Sequence, residues 1–130
     1  MTRKPLLIGT AALACTLGAA LVVPPAASAA APRDRVVDRA FVDCSRGAML
    51  QVDLEREWRK FEVDLEIYSN PRERWTITIG APGRVTHTLT RSTNREGELN
   101  AWRYMSASNR TIEVLATSAG GETCRATVRG

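Results

Sequence analysis

Histidine and lysine are almost missing from this chain. It holds one histidine, two lysines, three cysteines and seven aromatic residues among 130. Cys15 falls in the apolar N-terminal run, so the rest of the chain has only Cys44 and Cys124. That scarcity excludes a histidine-rich metal centre and leaves few groups for a buried cofactor, so neither a metal nor a cofactor is expected. Beyond residue 29 there are fifteen arginines and one lysine against fourteen acids, a net +2 where the whole chain carries +4. With so small an excess, and arginines interleaved with acids, nucleic-acid binding is not expected. What remains after residue 29 is long enough for one domain and too short for two.

The first residues read MTRKPLLIGTAALACTLGAALVVPPAASAA. Arg3 and Lys4 form a positive start, Leu6 to Val23 is uncharged, Pro24 and Pro25 interrupt the run, and Ala27-Ser28-Ala29 supplies small residues. This is the three-part pattern of a secretory signal, with cleavage expected after Ala29. The rival readings are a membrane anchor and a lipoprotein modified at Cys15. Against the first, no basic cluster follows the run; against the second, the apolar stretch before Cys15 is very short. The expectation is a cleaved leader over 1–29, one domain over 30–130, a secreted, extracellular protein and no membrane anchor after cleavage. Arginine in place of lysine and an alanine-rich leader suggest a GC-rich bacterial genome. Asn109-Arg110-Thr111 matches an N-glycosylation site but would then meet no glycosylation machinery.

In an exported chain, two cysteines are expected to form one disulfide. Cys44 and Cys124 stand near the two ends of the domain and show no Cys-x-x-Cys spacing. Between them the chain alternates with period two. Leu50, Val52 and Leu54 begin it, followed by Phe61, Val63, Leu65 and Ile67, then Trp75, Ile77 and Ile79. Ile112, Val114 and Ala116 continue it, and Cys124, Ala126 and Val128 close it. Each run predicts a strand with one buried face. Turn residues separate them: Ser69-Asn70-Pro71, Gly80 to Gly83, Asn94 to Gly97, Ser106 to Asn109, and Gly120-Gly121. Seven or eight strands result, near 36–44, 48–56, 60–68, 74–80, 84–92, 98–105, 110–117 and 122–128. Leu50, Leu54, Trp58 and Phe61 also fit a helix. A hairpin at 56–59 with Trp58 at its tip is preferred, because the alternation from Phe61 starts before any breaker.

The expected fold is all-β: a small antiparallel sandwich, immunoglobulin-like in the loose sense, with a bridge between its first and last strands. Cys44-Ser45-Arg46-Gly47, Asn70, Trp75, Gly83, Gly97 and Cys124 form a recurring arrangement. On these residues the layout resembles that of small exported actinobacterial single-disulfide β-sandwich proteins with no assigned activity. The resemblance implies a fold and no catalytic residues.

For chemistry there is little. His87 lies in phase with Val85 and Leu89 on one strand, and no nucleophile-elbow pattern accompanies it. Glu62, Asp64 and Glu66 form a comb of carboxylates, with Asp53 and Glu55 on the next strand. Pairing with Arg56, Arg59, Arg72 and Arg74 is expected in preference to calcium, whose sites curl around the ion. Arg91, Arg95, Arg103 and Arg110 flank turns and are expected to gather at one end. Trp102 and Tyr104 share a face, opposite Leu99, Ala101 and Met105. They are expected to complete the core; placed outward, they would stack on a glycan or peptide. The candidate binding residues are therefore Arg91, Arg95, Trp102 and Tyr104. The functional expectation is a non-catalytic exported module that binds a cell-envelope component, a secreted protein or a small ligand. The alternatives are an inhibitor of extracellular proteases, using the loops at Gly80–Arg84 or Asn94–Gly97, and a small secreted hydrolase.

Overall fold

The structure, a computed structural model, describes residues 35–130. Cys15, the leader and the expected cleavage point after Ala29 lie outside the described residues. Eight strands follow in order: β1 Val36–Asp43, β2 Met49–Glu57, β3 Lys60–Tyr68, β4 Arg74–Ala81, β5 Arg84–Ser92, β6 Glu98–Ser106, β7 Thr111–Ser118 and β8 Thr123–Arg129. They form two antiparallel four-stranded sheets, ordered β1-β2-β3-β6 and β5-β4-β7-β8. Within a residue or two these are the segments that period-two alternation predicts, because each has one apolar face that must leave water.

Those faces meet. Leu50, Val52, Leu54, Val63 and Ile67 of the first sheet are fully buried against Trp75, Ile77, Ile79, Ile112 and Val114 of the second. Each such side chain stabilises the fold by roughly 1.5–3 kcal/mol relative to exposure. The indole of Trp75 is buried too, and its Nε1 donates to Ser69 Oγ at 3.0 Å, so the ring brings no unsatisfied donor into the core.

The two seams between the sheets differ. On one side the Cys44–Cys124 disulfide ties the end of β1 to β8, across 80 positions. Beside it, Ser45 N–H donates to the Thr123 carbonyl at 3.0 Å and Thr123 N–H to Ser45 Oγ at 3.0 Å. Further along the same seam, Arg129 N–H donates to Asp38 Oδ2 at 2.7 Å. On the other side, β5 and β6 face each other without a ladder. There Arg91 and His87 of β5 and Arg103 of β6 occupy positions in phase with the core, and the seam is polar.

The outer faces also differ. On the second sheet, Thr90, Thr76, Thr117 and Thr123 line up in register across all four strands. This is a row of β-branched hydroxyl residues, well suited to an exposed strand surface, with Glu113 and Arg125 further along the same face. The first sheet instead gathers acids and aromatic rings. The β2–β3 connection is a two-residue hairpin, Trp58-Arg59, closed by the Glu57–Lys60 pair.

Candidate binding face

Three rows of side chains cross the outside of β2, β3 and β6. Register places Gln51, Glu66 and Asn100 in one row, Asp53, Asp64 and Trp102 in the next, and Glu55, Glu62 and Tyr104 in the third. Five carboxylates thus share two adjacent strands, and the strand beside them carries two aromatic rings.

The expected pairing of this comb with Arg56, Arg59, Arg72 and Arg74 does not occur. In the ladder, the β3 acids stand opposite Gln51, Asp53 and Glu55 on β2. Arg56 points the other way and lies over the Phe61 ring at 5.9 Å, Arg59 is in the hairpin, and Arg72 and Arg74 belong to the β3–β4 turn and the second sheet. Among the described residues the one ion pair is Arg39 with Asp53, Nε to Oδ1 at 2.6 Å and Nη2 to Oδ2 at 2.7 Å. Asp64 has no such partner. Partial burial, then repulsion from Glu62, Glu55, Asp53 and Glu66, pushes its carboxyl up to about 6.

Trp102 and Tyr104 are not core residues, which corrects the expectation. Leu99, Ala101 and Met105 take the inward positions of β6, so alternation turns the two rings out, 52% and 37% exposed. They meet edge to face at 5.2 Å with 67° between planes. Lys60 Nζ sits 3.4 Å from the centre of the Tyr104 ring, a cation held on an aromatic face. Hydrogen bonding to Glu62, then desolvation, pushes the Tyr104 hydroxyl up to about 12. Tyr68, at the other end of β3, donates its hydroxyl to Glu66.

Beside Trp102 is a hollow of about 390 Å³, lined by Asp53, Asp64, Glu66, Arg91 and Asn100. Arg91 reaches it from β5, its Nη1 donating to the Asn100 carbonyl at 3.2 Å. Three of the four candidate residues, Arg91, Trp102 and Tyr104, therefore lie on or beside this face. Arg95 does not: it sits in the β5–β6 turn, away from the hollow. The expected gathering of arginines fails for the same reason, since Arg103 is mid-strand opposite Val63 and Arg110 precedes β7 at the opposite end from Arg95.

One arrangement escaped the sequence reading. The free edge of β6 is capped by side chains. Arg91 takes the carbonyl of Asn100, Arg103 Nη1 takes that of Trp102 at 2.7 Å, and His87 Nε2 meets that of Tyr104 at 3.0 Å. Nothing in spacing alone announces this, because two of the caps come from β5. It blocks addition of a further strand there.

His87 is thereby engaged by a backbone carbonyl. Nearby Ser106 and Ser108 bond to each other at 2.9 Å. The two loops considered for inhibition are tight: Pro82-Gly83 closes the Ala81–Arg84 pair, and Asn94 Oδ1 accepts the N–H groups of Glu96 and Glu98 at 3.0 and 2.8 Å. Among the described residues no three His, Cys, Asp or Glu side chains converge in a way that would hold a metal ion. No family model, curated protein or solved structure matches the chain.

Proposed function

We propose that this is a non-catalytic exported binding module whose acidic face receives a cationic partner, a lysine- or arginine-bearing segment of another secreted protein. The observation that carries the reading is the row Asp53–Asp64–Trp102 with its neighbours: stacked carboxylates beside exposed rings. Partial burial, and after it repulsion from the four neighbouring acids, raises the Asp64 carboxyl, and among the described residues no cation of the fold is paired with it. A partner's ammonium or guanidinium group relieves it and gains contact with the Trp102 and Tyr104 faces. Lys60 over Tyr104 is an internal instance of the same contact. The capped edge of β6 favours a ligand lying across the face over one added as a strand.

The hollow beside Trp102 supports a second reading, a neutral glycan stacked on the indole and bonded by Asp64, Asn100 and Arg91. Salt separates the two. Binding of a short arginine-rich peptide, followed by calorimetry, should weaken by roughly tenfold between low and physiological ionic strength. It should be lost in Trp102→Ala and weakened in Glu62→Gln and Asp64→Asn, while Arg95→Ala leaves it unchanged. Binding of a neutral cell-wall oligosaccharide that ignores salt, with no peptide binding, would overturn the cationic reading in favour of the glycan.

A further inference from the structure

Among the described residues, the most exposed aromatic side chain is also one of two non-glycine residues with a left-handed backbone. Trp58 is 89% exposed, and its φ is 55°. It is the first of the two hairpin residues, where a positive φ ordinarily selects glycine. A bulky residue there is strained. The exposed indole buries little apolar area that would offset the cost. A strained, solvent-facing tryptophan at the tip of a projecting hairpin points to a role outside the fold.

Its surroundings say what kind. The same end of the sandwich carries Arg35, Arg56, Arg59, Arg84, Arg110 and Arg129, all exposed. The backbone sets them there. Arg56 N–H bonds to the Arg35 carbonyl, Ala107 N–H to that of Arg59, and Gly130 N–H to that of Arg110. Arg129 pairs with Thr111, and Arg84 closes the β4–β5 turn opposite Ala81. The short Ala107–Arg110 connection joins the ends of the two sheets, so both contribute to one collar. None of the six takes part in an ion pair among the described residues. Among the described residues, the acids at this end, Glu57, Glu113 and Asp38, are half-buried, and Asp38 accepts the Arg129 N–H.

We infer that this end docks on an anionic phospholipid bilayer, with the Trp58 ring in the headgroup layer and the arginine collar against the lipid phosphates. Tryptophan favours that layer because one ring carries both apolar area and an N–H donor. Exposed arginines add attraction to anionic lipid within a Debye length. Stable peripheral binding takes two signals, and here the indole and the arginine collar would act together. A projecting indole has a use in a bilayer that it lacks on a soluble polyanion, which the collar alone would serve. The contact is peripheral, since among the described residues no helix is long and apolar enough to cross a membrane. The acidic face of the first sheet is repelled from the same surface, which leaves it turned to solvent.

The test uses residues 31–130, which contain both sheets, the whole described core and the disulfide. Oxidised protein is sedimented with phosphatidylcholine vesicles and with vesicles containing about one-third phosphatidylglycerol. Binding to the anionic vesicles alone is expected, lost at high salt. Trp58→Gly should weaken it by roughly tenfold or more while leaving the fold at least as stable, because glycine accepts the positive φ. Arg56→Glu with Arg59→Glu should abolish the preference for anionic lipid. Equal binding to both vesicle types, unchanged binding in Trp58→Gly, or binding to soluble polyphosphate with none to vesicles would each overturn the inference. None of these results bears on the peptide-binding face.

Discussion

Asp53 and Asp64 face each other across the β2–β3 ladder, and Arg39, the one arginine in an ion pair there, is held by Asp53. Asp64 therefore sits among four acids without a cation of its own. The consequence for stability has a definite sign. Its carboxyl titrates at about 6 in the folded chain against an ordinary 3.8, so the folded state keeps the proton to higher pH than the unfolded one. Stability falls as pH rises through that window and stays lower above it.

Asp64→Asn should therefore be more stable than the parent at neutral pH, and equal to it in acid where both states are protonated. Solvent reaches this half-buried site and screens part of the shift, so the gain is of order 1 kcal/mol. Denaturant titrations at the two pH values measure it. A variant that is less stable at neutral pH would show that Asp64 makes a favourable contact in the fold.

Removing the bridge, as Cys44→Ala with Cys124→Ala, should cost roughly 4 kcal/mol, because it frees a loop of 80 residues in the unfolded chain. For a domain of this size that is a large share of net stability. Calorimetric melting of the double variant against the oxidised parent gives the number. A loss near zero would place closure of that seam in the backbone bonds around Ser45 and Thr123 instead.

Glu122 is a buried carboxylate, 5% exposed, whose Oε1 accepts the N–H groups of Arg46 at 2.9 Å and Ala48 at 2.7 Å. It ties the β1–β2 loop to the turn before β8. Glu122→Ala should cost about 2–4 kcal/mol, since two donors lose their acceptor, while Glu122→Gln, which keeps an amide oxygen, should lose about 1 kcal/mol. Equal losses in the two variants would mean that the acceptor oxygen is not what matters.

Gly97 has φ +84°, and a Cβ there would collide with the Ser69 carbonyl, whose residue donates its N–H to the Gly97 carbonyl at 2.8 Å. Gly83 has φ +74° with open space around it. Gly97→Ala should thus cost about 2 kcal/mol or more and Gly83→Ala about 1 kcal/mol. Urea midpoints of the pair decide it, and the reverse order would contradict the close packing at Ser69.

The strands were legible because alternation is a local property: Phe61 to Ile67 declares a buried face whatever lies opposite. The hairpin with Trp58 at its tip followed from the same pattern, while the bridge followed from two cysteines placed near the two ends of the domain. The acidic comb was legible as a comb but not as an unpaired one. Which residues stand opposite Glu62 and Asp64 depends on the β2–β3 register, which sets Glu55 and Asp53 there. Trp102 and Tyr104 were visible as a pair on one face, yet alternation names two faces without saying which is in. The caps on β6 combine Arg91 and His87 with a strand that they do not pair with in sequence or in a ladder.

The amino-acid order by itself determined the strand positions, since alternation is read along neighbouring side chains, and composition alone gave the cysteine pair and the poverty of catalytic groups. Only the tertiary structure decided what those strands present to solvent. Register and sheet order stack carboxylates from β2 and β3 against rings from β6, and bring arginines from positions 35 to 129 into one collar around Trp58. Such juxtapositions join residues far apart in the chain, and they exist only once the two apolar faces have closed on each other.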